Sequence, residues 1–97
     1  MNNNILNFEW DEEKAIINFK KHKISFEEAV SIFSDQNSIT IYDQEHSETE
    51  ERFIDIGISA GKRILVVVYI EIQNKIRIIS CRKATKKETA SYEKFNS

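Results

Sequence analysis

The stretch "KRILVVVYIEIQNKIRIISCRKATKKE", Lys62 to Glu88, predicts the centre of the fold. Alternate residues from Ile64 to Ile70 fall on one face of a strand, and Leu65 and Val67 fall on the other. Apolar residues on both faces predict a central strand that is covered on each side. Gln73 and Asn74 form a plausible tight turn into a second strand, "KIRIISCR". An antiparallel hairpin is therefore expected in the middle of a sheet.

Further elements are predicted on both sides of this hairpin. Upstream, "ITIYD" and "RFIDIGIS" alternate as strands around the polar loop 44–51. Downstream, Thr85 and Glu88 have the spacing of a capping box, which predicts a helix from about Lys86 to Phe95. The sheet should thus contain about four antiparallel strands, closed by a C-terminal helix.

The N-terminal third carries helix signals after "ILNFEW", a segment that could begin as a short strand. Asp11 is a suitable N-cap, and the first helix should end near "KKHK", Lys20 to Lys23. Its predicted buried face consists of Ala15, Ile16 and Phe19.

A second helix is predicted directly afterwards. Ser25 and Glu28 form another capping-box pattern. An apolar stripe follows at helical spacing, made of Phe26, Ala29, Val30 and Phe33. The prediction is an α+β fold: two N-terminal helices, an antiparallel sheet of about four strands and one C-terminal helix, in a single domain over residues 1–97.

Composition limits the classes of function. The 97 residues are 40% hydrophobic and 31% charged, which is ordinary for a soluble globular protein. The longest apolar run is far shorter than the ~20 residues of a membrane-spanning helix, and no secretory signal is evident, so a cytoplasmic protein without membrane contact is expected. Cys81 is the only cysteine and is predicted to be a buried strand residue.

Charge is distributed unevenly along the chain. Residues 1–60 carry five basic and thirteen acidic side chains, whereas residues 61–97 carry nine basic and three acidic ones. Two interpretations stay open on charge alone: the halves neutralise each other in the folded protein, or the basic third offers a polyanion a positive surface.

Metal or cofactor chemistry is not predicted. His22 and His46 lack the spacing of zinc motifs, and the sequence has no glycine-rich phosphate loop. RNA can be cleaved without a metal when a base activates the 2′-hydroxyl and cations stabilise the phosphorane. Arg77 and Arg82 suit the second task, because guanidinium groups grip phosphate with two N–H groups.

The two arginines are five residues apart and cannot share one face of a regular strand. Either a bulge intervenes, or Arg82 has already left the strand. A purely structural interpretation is ion pairing, of Arg77 with Glu71 across the hairpin and of Arg82 with an acid of the helix.

Other candidate groups lie nearby in the sequence. Lys86 and Lys87 fall in the first turn of the last helix, where the helix dipole favours an anion, so a phosphate site is predicted there. In the loop, His46 and Glu50 could transfer protons, and Arg52 opens the next strand.

Three segments together resemble the BrnT family, the toxins of type II toxin–antitoxin pairs: "FEWDEEKAIINFKKHKISFEEAVSIF", "DQEHSETEERFIDIG" and "RIISCRKATKKE". They cover nearly the whole chain in the family's order. The resemblance implies a RelE-like fold and an endoribonuclease that arrests translation. It also implies neutralisation by a BrnA-type antitoxin that binds operator DNA, with RNA as substrate, in solution or on the ribosome.

The family's motifs map onto individual residues of this chain. E-x-R falls on Glu50 and Arg52, histidine-serine on His46 and Ser47, R-x-I-S-x-R on Arg77 and Arg82, and lysine-histidine on Lys21 and His22. The predicted catalytic set is Arg52, Arg77, Arg82, Glu50 and His46, with either of the last two as base. The predicted RNA-binding set is Lys21, Lys83, Lys86 and Lys87.

The chain departs from the family at a helix end. Lys23 stands where the family has glycine, so a left-handed helix stop must be made by a non-glycine residue or avoided. Two alternatives to an active ribonuclease remain at this level: a non-catalytic module that blocks translation sterically, and a degenerate toxin that acts only as a partner of its antitoxin.

Overall fold

The computed structural model describes residues 7–46 and 50–97, apart from the side chain of His46. This part of the chain forms three α-helices: α1 (Glu12–His22), α2 (Phe26–Ser31) and α3 (Lys86–Phe95). It forms five strands: β1 (Asn7–Glu9), β2 (Ile39–Tyr42), β3 (Arg52–Ile58), β4 (Ile64–Ile72) and β5 (Lys75–Lys83). Short 3-10 turns cover Ile32–Ser34 and Gln44–His46. None of these helices is long and apolar enough to cross a membrane.

All five strands belong to one sheet in the order β1-β5-β4-β3-β2. The antiparallel run from β2 to β5 is the predicted four-strand meander, and β4 is its central strand as predicted. The predicted sheet was incomplete, because β1 adds a fifth strand that pairs with β5 in parallel. The short strand suggested within "ILNFEW" is present at Asn7–Glu9, but its pairing with β5, which sets Glu9 opposite Arg77, does not show in the sequence pattern.

All three predicted N-caps are present. Asp11 and Ser25 accept hydrogen bonds from amides in the first turns of α1 and α2, and Thr85 and Glu88 form a complete capping box on α3. The box predicted for Ser25 and Glu28 forms only by half. The Glu28 carboxylate turns away to accept hydrogen bonds from Arg63 and from the Ser59 hydroxyl, which fastens the β3–β4 turn to α2.

The predicted buried face of α1 was wrong for two of its three residues. Ile16 and Phe19 are 54% and 50% exposed, whereas Asn18 is 7% exposed. The Asn18 carboxamide accepts from the Cys81 N–H at 3.1 Å and donates to the Cys81 carbonyl at 2.9 Å. A polar side chain occupies the inward position because the backbone of β5 needs a partner there, and the apolar residues beside it turn outward.

Lys23 ends α1 in the left-handed conformation, with φ 61° and ψ 34°. Its N–H donates to the carbonyl of Phe19, so lysine forms the left-handed helix end that glycine usually forms. A side chain in this conformation costs roughly 1–2 kcal/mol, because Cβ crowds the following carbonyl.

We expect Lys23→Gly to raise the free energy of unfolding by about 0.5–1 kcal/mol, because relief of this strain exceeds the added chain entropy of glycine. Urea unfolding measures the change. The matched control is Lys20→Gly within α1, which should lose about 1 kcal/mol because its backbone is helical. Equal destabilisation by both changes would contradict the prediction.

The two faces of the sheet are covered differently. On the first, which we call the helix-pair face, Leu65, Val67 and Tyr69 of β4 pack against α1 and α2. Cys81 lies fully buried there as predicted, and burial raises the pKa of its thiol to about 12. On the second face α3 covers only one end, where Tyr92 packs on Ile56 and Val66.

Candidate active site

A β-bulge in β5 places Arg77 and Arg82 on one face of the sheet. Arg82 pairs with Val66 and Arg77 pairs with Ile70, and the register between β4 and β5 shifts by one residue at Val68/Tyr69. Val66 and Ile70 alternate onto the same side of β4. Of the two alternatives left open by the sequence, the bulge is therefore correct, and Arg82 is still within the strand.

Arg52 joins the same face. It pairs with Ile70 from the β3 side, while Arg77 pairs with Ile70 from the β5 side. Strand spacing puts the Cα atoms of Arg52 and Arg77 about 10 Å apart, and Arg82 lies about 13 Å farther along β5. We call this side of the sheet the arginine face. It is opposite the helix-pair face, and α3 lies on it.

Arg82 is held by a carboxylate of α3. Its Nη1 and Nη2 donate to the two oxygens of Glu88 at 2.8 and 2.9 Å, and Nη1 also donates to the Lys83 carbonyl. These hydrogen bonds raise the pKa of Arg82 and lower that of Glu88 to about 2. Within the described chain, the Nε–H and one Nη2–H of Arg82 keep no protein acceptor. They lie on the side edge of the guanidinium, a geometry that suits phosphate.

The Arg82–Glu88 pair lies at the N-terminus of α3, where a phosphate site was predicted. Glu88 accepts the Thr85 amide at 2.8 Å as well as the Arg82 fork. A carboxylate of the protein thus already lies at the N-terminus of α3. The predicted ion pairing of Arg82 with a helix acid is confirmed.

Arg77 is ion-paired as well, but not with the predicted residue. Its Nη1 lies 3.1 Å from the Glu9 carboxylate, and Lys75 contacts the other oxygen of Glu9 at 3.7 Å. The hairpin register places Glu71 opposite Ile76 rather than Arg77. The parallel pairing of β1 brings Glu9 to Arg77 instead, so the predicted Glu71 pair was wrong.

The predicted lysines do not gather at one place. Lys87 lines a groove beside Arg82 on the arginine face, and Lys86 is exposed in the same turn. Lys83 pairs with Leu65, which puts it in register with the helix-pair face. Lys21 lines a separate hollow at the β5 edge, formed with α1 residues and Ile79. The structure therefore places only Lys87 in the groove with an arginine.

The loop candidates lie close to Arg52 along the chain. Glu50 is exposed two residues before the start of β3, and the Asp43 amide donates to the Arg52 carbonyl across the base of the loop. This bond closes the base of the loop at the end of the sheet where Arg52 and Arg77 lie. The His46 side chain and Ser47 fall outside the described residues.

Two carboxylates that pair with the candidate arginines were missed or only partly foreseen. Glu9 gave no signal, because its role depends on a parallel pairing 68 positions away in sequence. Glu88 was recognised as a capping residue, and its i+6 spacing from Arg82 offered a hint only if the strand runs straight into the helix.

Across residues 7–46 and 50–97, no three His, Cys, Asp or Glu side chains cluster as potential metal ligands.

The structure defines an α+β domain whose mainly antiparallel sheet carries three arginines on the face that α3 leaves partly open. The sequence profile described as "Ribonuclease toxin, BrnT, of type II toxin-antitoxin system" matches residues 10–88. The chain therefore belongs to the BrnT family, as the sequence motifs indicated, and this membership implies an antitoxin partner.

A solved structure supports the fold. The chain is similar to the ribonuclease toxin BrnT of Brucella abortus, with a TM-score of 0.65 and 21% sequence identity, over 84% of this chain and 100% of that one. No curated protein sequence matches the chain significantly.

Proposed function

We propose that this chain is a metal-independent endoribonuclease toxin whose active site is the arginine face. The observation that carries the proposal is the convergence of Arg52, Arg77 and Arg82 on the sheet face that α3 leaves partly open. Guanidinium groups stay charged at any physiological pH and can stabilise the extra charge of a pentacoordinate phosphate.

The roles follow from position and chemistry. Arg82 offers the side edge of its guanidinium to a phosphate, and Arg52 and Arg77 line the path of the neighbouring backbone. Glu50 or His46 removes the proton from the 2′-hydroxyl, since both precede Arg52 on the same loop. Lys87 and Lys86 add positive charge from α3, while Lys21 and Lys83 make peripheral contacts with longer RNA.

The biological setting is proposed from the family. A RelE-like ribonuclease would arrest translation in the cytoplasm, acting on free or ribosome-associated RNA. A BrnA-type antitoxin would neutralise it and carry it to operator DNA. Helices on both faces of a mainly antiparallel sheet support the RelE-like assignment.

We expect purified wild-type protein to cleave RNA in excess EDTA, and the Arg77→Ala/Arg82→Ala double variant to leave it intact. The loss is expected because Arg82 binds the phosphorane and Arg77 holds the neighbouring RNA backbone. Gel analysis of RNA ends measures cleavage, and circular dichroism checks that both proteins are folded.

The failures of this experiment are informative. Growth arrest with RNA intact in both tubes, and also intact on translating ribosomes, would favour steric inhibition. Harmless expression without antitoxin would favour a degenerate toxin that serves only as a partner. Wild-type cleavage that EDTA abolishes would refute the metal-independent mechanism.

A further inference from the structure

A groove of about 330 Å³ lies on the arginine face between α3 and strands β2 to β4. Its floor is entirely aliphatic and consists of Ile39, Ile41, Ile54, Ile56, Val66 and Val68. Lys87, Glu88 and Ser91 of α3 form one wall, and Arg82 closes the β5 side. The groove therefore joins an apolar surface to the guanidinium proposed to bind phosphate.

The floor is open because α3 covers only part of the face. Tyr92 anchors the helix on Ile56 and Val66, and its hydroxyl donates to Asp35 at 2.6 Å. Ile41, beyond the reach of this contact, is 45% exposed. An apolar hollow bordered by a few polar groups is typical of a ligand site, and its volume is at the lower end of the range for small ligands.

We propose that this groove is a nucleobase subsite, which seats the base adjoining the phosphate held by Arg82. This inference rests on the proposed ribonuclease function and deepens it. A base is a flat, largely apolar heterocycle on a charged backbone, so it matches an aliphatic floor flanked by Arg82 and Lys87. The base must be unstacked to enter, which selects single-stranded RNA.

The α3 wall makes the subsite selective. Lys87 can only donate hydrogen bonds, so it favours a base edge with acceptors, such as O6 and N7 of guanine. The Ser91 hydroxyl on the same wall can donate as well as accept. The Glu88 oxygens already accept from Arg82 and the Thr85 amide. We expect guanine to bind there more tightly than adenine, which presents an amino donor in place of O6.

Binding rather than cleavage tests the subsite. The probe is a short single-stranded 2′-O-methyl RNA containing guanine, which cannot undergo attack by its own 2′-oxygen. Fluorescence anisotropy compares it with strands that carry one abasic nucleotide at each position in turn. One abasic position should weaken binding roughly tenfold, as expected when a base no longer covers an apolar floor, and the other positions should weaken it less.

A matched pair of variants locates the effect. Ser91→Phe fills the groove and should bind the intact strand only as tightly as the wild type binds the strand whose abasic position weakens binding most. Ala90→Phe adds the same side chain at an exposed neighbour that does not line the groove, and should bind as the wild type does. If Ser91→Phe does not fold, Lys87→Met replaces it, and its guanine preference over adenine should be lost.

The outcomes separate the two hypotheses. Wild-type protein that binds none of these strands would overturn the subsite. It would overturn the ribonuclease function as well only if RNA also stays intact in the cleavage experiment, both in free solution and on translating ribosomes. Wild-type protein that binds them all equally would overturn the subsite alone. Equal weakening by Ser91→Phe and Ala90→Phe would also refute it.

Discussion

Replacing Arg82 with alanine is expected to lower RNA cleavage by roughly 10²–10³-fold, the usual loss when one preorganised donor to a transition-state oxyanion is removed. Arg82→Lys should recover only part of this activity. Lysine keeps the charge, but its ammonium cannot hold Glu88 and a phosphate with two separate pairs of N–H groups. Single-turnover rates on one RNA measure both effects.

Replacing Glu88 tests whether cleavage depends on the orientation of Arg82 as well as on its charge. Glu88→Gln keeps an oxygen for the Thr85 amide but weakens the fork that orients Arg82. We expect slower chemistry with little change in RNA affinity, since the arginine remains present but is less well aimed. Thr85→Ala is the control, because it removes the hydroxyl cap yet leaves the Arg82 fork in place; it should cost about 1 kcal/mol of stability and leave cleavage unchanged.

The pH dependence of this pair has a defined sign. The folded-state pKa of Glu88, about 2, lies below its ordinary value of 4.5. The pair therefore contributes stability above pH 4.5 and loses it as the pH falls toward 2. Arg82 should stay oriented throughout the neutral range, so a loss of cleavage near pH 6 would have to come from another group.

An Arg82→Ala protein with wild-type rates would remove Arg82 from the mechanism.

Asn18→Ala is expected to lower the free energy of unfolding by about 3 kcal/mol. The change leaves the buried N–H and C=O of Cys81 without hydrogen-bond partners, and an unsatisfied buried polar group costs roughly 1–3 kcal/mol. Asn18 also donates to the Ile24 carbonyl, so the link between α1 and the start of α2 loosens too. A fall in Tm of more than about 10 °C should accompany the loss.

Urea unfolding measures this loss of stability, and the dependence of the unfolding free energy on urea concentration should stay unchanged. The control is Asn37→Ala. Asn37 is an exposed asparagine whose replacement should change stability by less than about 0.5 kcal/mol. Asn18→Asp should be nearly as damaging as alanine, because a carboxylate cannot donate to the Cys81 carbonyl. A loss below 1 kcal/mol for Asn18→Ala would mean that water replaces the carboxamide.

Local signals in the sequence determined most of the secondary structure. The N-caps Asp11, Ser25 and Thr85 and the two-sided apolar run of β4 were all predicted, because each depends on residues within a few positions. At Lys23 the sequence left two alternatives, a left-handed helix end made by a non-glycine residue or no such end, and the structure shows the first.

Tertiary structure alone decided how the candidate site is assembled. The one-residue bulge in β5 puts Arg77 and Arg82 on one face, and the parallel pairing of β1 supplies Glu9. Neither follows from periodicity, because a register shift and a three-residue pairing are set by contacts between distant segments. Asn18 shows the same principle in the core: the unsatisfied backbone of β5 outweighed the apolar pattern of α1 and turned Ile16 and Phe19 to the surface.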